Sequence, residues 1–195
     1  MIQPYRGRCT EALSIVAQNY LDAYQRTLKK MICGMTKARL TDSISQNFIA
    51  LMIPHHRAAI RMSENILKYT TNVQLQDVAI QIVREQTKSI ADMERILGCC
   101  ERLRNTREEL CCYQREMERI MQRMFGQMRA ADATNCINRD FLCEMIPHHR
   151  GAVEMSQLTL KNTICQGLTP ILNAIITSQE KGIRQMEQLL QAISC

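Results

Sequence analysis

The chain has 195 residues, of which 46% are hydrophobic and 23% charged, with seven Gly and four Pro. It is long enough to bury a sizeable core as one large domain or two small ones, and too poor in turn formers for a β-rich fold, so helix is the default. A net charge of +6 permits contact with polyanions, but five Tyr, three Phe and no Trp argue against base stacking as a binding mode.

Residues 1–9 lack the apolar core of a signal peptide, and the sequence as written predicts a protein that stays in the cytoplasm. No apolar run approaches the roughly 18 residues of a membrane span. The first helix is expected over 11–38, where Tyr20, Tyr24, Leu28, Met31 and Met35 recur at three- and four-residue steps. Thr41 to Ser43 offer an N-cap. A second helix follows to about residue 69, with the stripe Phe48, Met52, His55, Ala59, Met62 and Ile66. A third, over 73–97, is expected to end at Gly98. The plan then repeats over 101–131, 135–161 and 170–193, with Pro170 suited to a first helical turn. Pro54 and Pro147 fall inside the second helix of each half. Each marks either a kink or a late helix start.

The two halves are copies. Met52-Ile-Pro-His-His-Arg57 returns as Met145-Ile-Pro-His-His-Arg150 at an offset of 93 residues, and all four histidines of the chain lie in these segments. At the same offset Tyr20 matches Tyr113, Met31 matches Met124, Met35 matches Met128, Phe48 matches Phe141, Gln86 matches Gln179 and Met93 matches Met186. Residues 1–98 and 99–195 are therefore two three-helix repeats, related by a pseudo-twofold axis in one compact unit.

In a helix Met52, His55 and Met62 share one face, while His56 is rotated by about 100°. One histidine of each pair can face the bundle interior and the other a neighbouring helix. Thioether sulfur is soft and imidazole borderline, a donor mix that favours Cu(I), or Ag(I) as its mimic, over hard cations. Other helices supply more sulfur, with Met31 and Met35 one turn apart and Met117, Met121, Met124 and Met128 forming a stripe in the second half. Against this stands the structural reading of Met as a filler of irregular helical cores. Arg57 and Arg150 are placed to pair with a carboxylate or to bind an anion beside the site.

The pattern Phe-x3-Met-Ile-Pro-His-His-Arg-x-Ala-x-x-Met, preceded by a Met-x3-Met helix and followed by a Gln-x6-Met helix, resembles the "domain of unknown function 305" family across roughly 18–97 and 111–190. The resemblance implies a ferritin-like helical bundle, and some members of that family are linked to copper binding and tolerance. The ligands it implies are Met52, His55, His56 and Met62 with Met31 and Met35, and Met145, His148, His149 and Met155 with Met124 and Met128.

The ten cysteines include Cys99-Cys100 and Cys111-Cys112 at the junction of the halves. They can serve as disulfides outside the cell or as thiols and soft-metal ligands in a reducing cytoplasm. No Cys-x2-Cys spacing suggests a zinc ribbon. A di-iron carboxylate centre needs Glu-x-x-His motifs, and the sequence offers only Glu144 four residues before His148, with Leu51 at the matching position. Arginines along the fourth helix alternate with glutamates at pairing distance, which suits a solvated salt-bridged face. The expectation is thus an all-α, ferritin-like bundle that binds Cu(I) for buffering, storage or tolerance without catalysis. Its partners would be the metal ion and, as an open possibility, further copies of itself as a homo-oligomer, with no nucleic acid and no membrane. The rival is a helical scaffold or partner-binding protein whose Met and His are core residues.

Overall fold

The structure is a computed structural model that describes residues 12–100 and 102–193. Among the described residues there are six helices and no strand: α1 Ile15–Thr36, α2 Ile44–Ile66, α3 Val73–Cys100, α4 Arg107–Ala130, α5 Ile137–Leu160 and α6 Leu168–Ala192. Residues 1–11, on which the leader reading rests, lie outside the described part.

Local chemistry sets the helix starts. Ser14 and Ser43 accept from Ala17 N and Gln46 N, and Asn72 Oδ1 accepts from Leu75 N at 2.9 Å. Thr106 and Glu109 form a reciprocal capping box, which starts α4 at Arg107 rather than at the expected residue 101. The third helix does not stop at Gly98. It continues to Cys100, and among the described residues no glycine has a positive φ, so Gly98 is a helical residue rather than a left-handed cap.

Pro54 and Pro147 each stand about three turns inside a continuous helix, which excludes the late-start reading. Because proline lacks an N–H, the carbonyls of Ala50 and Cys143 lose their usual intrahelical donor. Pro170 does sit in the first turn of α6.

Apolar stripes at helical spacing then dictate the packing. α2 packs on α3, α3 on α6, α6 on α5 and α5 on α2, closing a ring of four helices. α1 lies outside against α2, and α4 against α5 in the matching place. The shared core runs through both halves and includes Phe48 and Phe141, Tyr20 and Tyr113, and Met93 and Met186. The repeats therefore do not have separate cores.

Two fastenings join the connections. Asn105 in the α3–α4 loop donates its backbone N–H to the Asp42 carbonyl at 2.8 Å, accepts from Ile44 N at 2.9 Å and donates to the Thr163 carbonyl at 2.9 Å. A disulfide links Cys100, fully buried at the end of α3, to Cys165 just before α6, across 65 residues of sequence. Closing a loop of that length removes chain entropy from the unfolded state, worth about 4 kcal/mol in the loop-closure account. The double variant Cys100→Ser/Cys165→Ser is expected to stay helical and to lose about 2–5 kcal/mol in urea unfolding. A loss under about 0.5 kcal/mol would show that the bond constrains little.

Candidate metal centre

The two His-His pairs come from the midpoints of α2 and α5, which cross in the central ring. All four imidazoles are buried, at 0% exposure for His55 and His148, 1% for His56 and 3% for His149. The sequence suggests one local site per half. The fold instead brings the four rings into one central cluster.

His55 and His148 face each other. Their ring centroids are 3.6 Å apart with planes inclined by 30°, and each Nε2 lies 3.2 Å from the other residue's backbone carbonyl. A carbonyl only accepts, so both Nε2 atoms carry the proton. The rings are neutral, since burial first, and the neighbouring imidazoles second, hold both well below the ordinary histidine range. It follows that each Nδ1 is an unprotonated lone pair. Both are buried with no hydrogen-bond partner.

The second histidine of each pair turns sideways, as the helical rotation requires. His56 Nε2 meets Ser89 Oγ of α3 at 3.1 Å. His149 lies against Gly182 of α6, where a Cβ would come within 3.2 Å of its Cδ2 and 3.4 Å of its Nε2. Ser89 and Gly182 are repeat equivalents. Burial pushes His56 down to about 3, helped by His148 and His149, and pushes His149 down to about 4 against the opposing pull of the Met145 carbonyl. The Nδ1 atoms of both also lack partners.

Every methionine named as a ligand candidate is in the core. Met52, Met128, Met145 and Met155 are 0% exposed, Met31 is 1%, and Met35, Met62 and Met124 are 2%. Met124 owes its place to Gly151, because a Cβ there would come within 2.2 Å of the Met124 sulfur. Among the described residues no three His, Cys, Asp or Glu side chains converge on a common metal position. The imidazoles by themselves do not make a three-ligand set.

The orphaned acceptors provide the fit test. A buried acceptor without a donor costs about 1–3 kcal/mol. Soft and borderline cations are the species that a thioether and an imidazole lone pair stabilise together. Two Nδ1 lone pairs fixed by tautomer therefore suit a soft or borderline cation better than a hard one. His55, His148 and the methionines of α2 and α5 would hold it, with His56 and His149 beside them.

Several neighbours are quieter. Arg57 pairs with Glu94 at 3.3 Å and Arg150 with Glu187 at 2.6 Å, both exposed, so the arginines find carboxylates in matching places. Exposed pairs of this kind contribute little to stability. Glu144 is buried and accepts from the Tyr20 hydroxyl at 2.6 Å, and burial raises its carboxyl well above the usual range. It is thus engaged with α1. Cys143 is half-buried, and Cys33, Cys99, Cys111 and Cys112 are exposed.

Sequence reasoning missed Ser63 and Ser156 and matched Gln86 with Gln179 without giving them a role; Ser63 Oγ, Ser156 Oγ and both Gln Oε1 atoms are buried without partners. They fall in repeat-related pairs. Scanning the repeat for buried polar matches beyond the histidines would have found them.

The family model described as "Domain of unknown function (DUF305)" matches residues 16–97 and, again, 45–190. The solved structure of CopM in its Ag-bound form, obtained by soaking, is 27% identical over 80% of this chain and 100% of its own, with a TM-score of 0.57. CopM in the apo form is 28% identical over 77% of this chain and 98% of its own, with a TM-score of 0.57. A DUF305 fragment from Deinococcus radiodurans shares the fold at 23% identity, over 77% of this chain and 97% of its own, with a TM-score of 0.58. No curated protein matches the chain.

Buried neutral histidines make stability depend on pH with a definite sign. Their folded pKa lies below the unfolded value near 6.5, so between the two the unfolded chain binds more protons, and stability is full above about 6.5 and falls as pH drops. Glu144 and Asp140, both shifted upward by burial, have the opposite slope, but two carboxyls oppose four imidazoles. The metal-free protein is expected to lose stability between about pH 6.5 and 5, approaching 1.4 kcal/mol per unit for each histidine. Urea midpoints measured across that window check it. A flat profile would mean that the rings titrate alike in the folded and unfolded chain.

Proposed function

Because the chain belongs to the DUF305 family, we propose that it is a non-catalytic binder of a soft monovalent ion, Cu(I) in the cell, serving buffering, storage or tolerance. The observation that carries this reading is the pair of buried, partnerless Nδ1 lone pairs on His55 and His148, set in a core rich in thioether. Thioethers need no deprotonation, and the imidazoles are already neutral, so the donors are ready without releasing protons. CopM, solved with silver bound, gives the reading outside support at 27% identity. The rival scaffold reading draws on the same burial, since every candidate thioether is also a well-packed core residue.

Substitutions can separate the two. Glutamine places an N–H close to the position of Nε2, so His55→Gln/His148→Gln keeps donors for the cross-helix carbonyls while removing both Nδ1 acceptors. Met52→Leu/Met145→Leu conserves core volume and removes sulfur. In anaerobic Cu(I) titrations against a competing chelator, each double variant is expected to keep its helical content and to lose affinity about 10–100-fold or more. Wild-type affinity in both would dismiss the site and leave the scaffold reading ahead.

The Cys100–Cys165 bond bears on where this work is done, because such bonds persist in oxidising compartments and are rare in the cytosol. We read the protein as acting where that bond is kept. Trapping thiols with an alkylating agent at cell lysis and weighing the intact protein tests this. Both cysteines unmodified supports an oxidising compartment, and both alkylated returns the protein to the cytoplasm that the sequence suggests.

A further inference from the structure

The outer face of the first half carries a groove of about 810 Å³ between α1 and α2. Five cations line it, Arg26, Lys29 and Lys30 from α1 with Arg57 and Arg61 from α2, and no carboxylate does. Of the five, only Arg57 has an ion pair among the described residues, its exposed contact with Glu94. A cleft lined by one sign of charge focuses its field outward and concentrates counter-ions. The floor, by contrast, is apolar. Pro54 and the buried Ala58 form part of it, and the stems of long basic side chains add apolar surface below their charged heads. Gly34 keeps this floor clear, because a Cβ there would come within 3.0 Å of the Pro54 Cβ.

The second half supplies an internal comparison. At the repeat offset Ala23 becomes Glu116, Gly34 becomes Gln127 and Arg61 becomes Glu154. Arg119, the counterpart of Arg26, pairs with Glu116 at 2.9 Å, and Arg123, the counterpart of Lys30, pairs with Glu154. The matching groove between α4 and α5 measures only about 260 Å³, and both of these carboxylates line it. One scaffold therefore neutralises and narrows this face in one copy and leaves it open and cationic in the other. Helix formation and solubility are served equally by both versions, so neither accounts for the difference.

We propose that the α1–α2 groove binds a small amphipathic organic anion, of which a medium-chain carboxylate is the simplest member. The apolar chain lies over Pro54 and Ala58. The carboxylate meets Lys30 and Arg61, at the positions where the second half makes its own pair of cation and carboxylate. The volume falls within the roughly 300–1,000 Å³ of small-molecule sites. None of the four histidines lines the groove, so the binding is separate from the metal centre.

The test is calorimetric titration of the full, metal-free chain with decanoate below its micelle-forming concentration. Decanol serves as the uncharged control and inorganic phosphate as the control for charge alone. Lys30→Arg/Arg61→Glu installs the pair that Arg123 and Glu154 already make on the same scaffold, and it is expected to keep the wild-type helical content. The expected result is one decanoate per chain, binding weakened by salt, and affinity reduced about tenfold or more in the variant. Bound decanoate should also slow alkylation of Cys33, which lines the groove, and leave the exposed Cys99 and Cys112 unchanged. That protection is read on wild type and keeps the test decisive if the variant fails to fold. No decanoate binding, equal binding of decanol or of phosphate, wild-type affinity in the folded variant, or an unprotected Cys33 would each overturn the proposal. Capture by anionic vesicles without binding of free decanoate would overturn it in favour of a membrane surface. The titration contains no metal, so its outcome and that of the Cu(I) reading are independent.

Discussion

Two reciprocal hydrogen bonds, from His55 Nε2 to the His148 carbonyl and from His148 Nε2 to the His55 carbonyl, organise this molecule. They fix the α2–α5 crossing at a stated register, because each ring must reach the other helix's backbone. They also fix the tautomer. Once both Nε2 protons are committed to carbonyls, the Nδ1 atoms can only be acceptors, and burial leaves them without donors. A carbonyl has two lone pairs, so each can take this bond and still serve its own helix.

Neutrality follows from the same contact. Two rings stacked at 3.6 Å cannot both carry charge in a buried place, and protonating Nδ1 on either one would set a cation against its neighbour. The thioethers of the core are likewise uncharged. The centre of the bundle is therefore polar but neutral. A monovalent ion in such surroundings would carry one unbalanced charge, whereas a divalent ion would carry two. The buried Glu144 does not change this, because its carboxyl is taken up by Tyr20 on α1.

Much of this was legible in the sequence, for physical reasons. The repeat showed itself because both copies kept the same polar residues at one offset, and the helices showed themselves because their buried stripes have a helical period. The 100° rotation between adjacent residues already sent His55 and His56 to different neighbours, and the structure places them at α5 and α3. What could not be read was the contact across the axis, since periodicity describes one helix at a time and says nothing about which face meets which. For that reason two local sites were expected where one cluster of four histidines stands. Gly98 misled because a glycine marks a helix end only when the backbone needs a positive φ, and here it does not. The Thr106 capping box was present in the sequence and outweighs the helix-forming residues before it. The disulfide joins two cysteines outside the repeat pattern, so no internal symmetry pointed to it.

The places where the copies differ carry as much argument as the places where they agree. Leu51 answers to Glu144, which faces α1, Ala58 to Gly151, which faces α4, and Ser89 to Gly182, which lies against His149. A symmetric homodimer of one repeat could not hold them, since each change would appear on both sides of the twofold axis. Gly151 makes room for the Met124 sulfur in one half only, and Gly182 uncovers His149 while Ser89 covers His56. Joining the copies in one chain keeps the paired donors that a shared centre needs and frees each side to change alone.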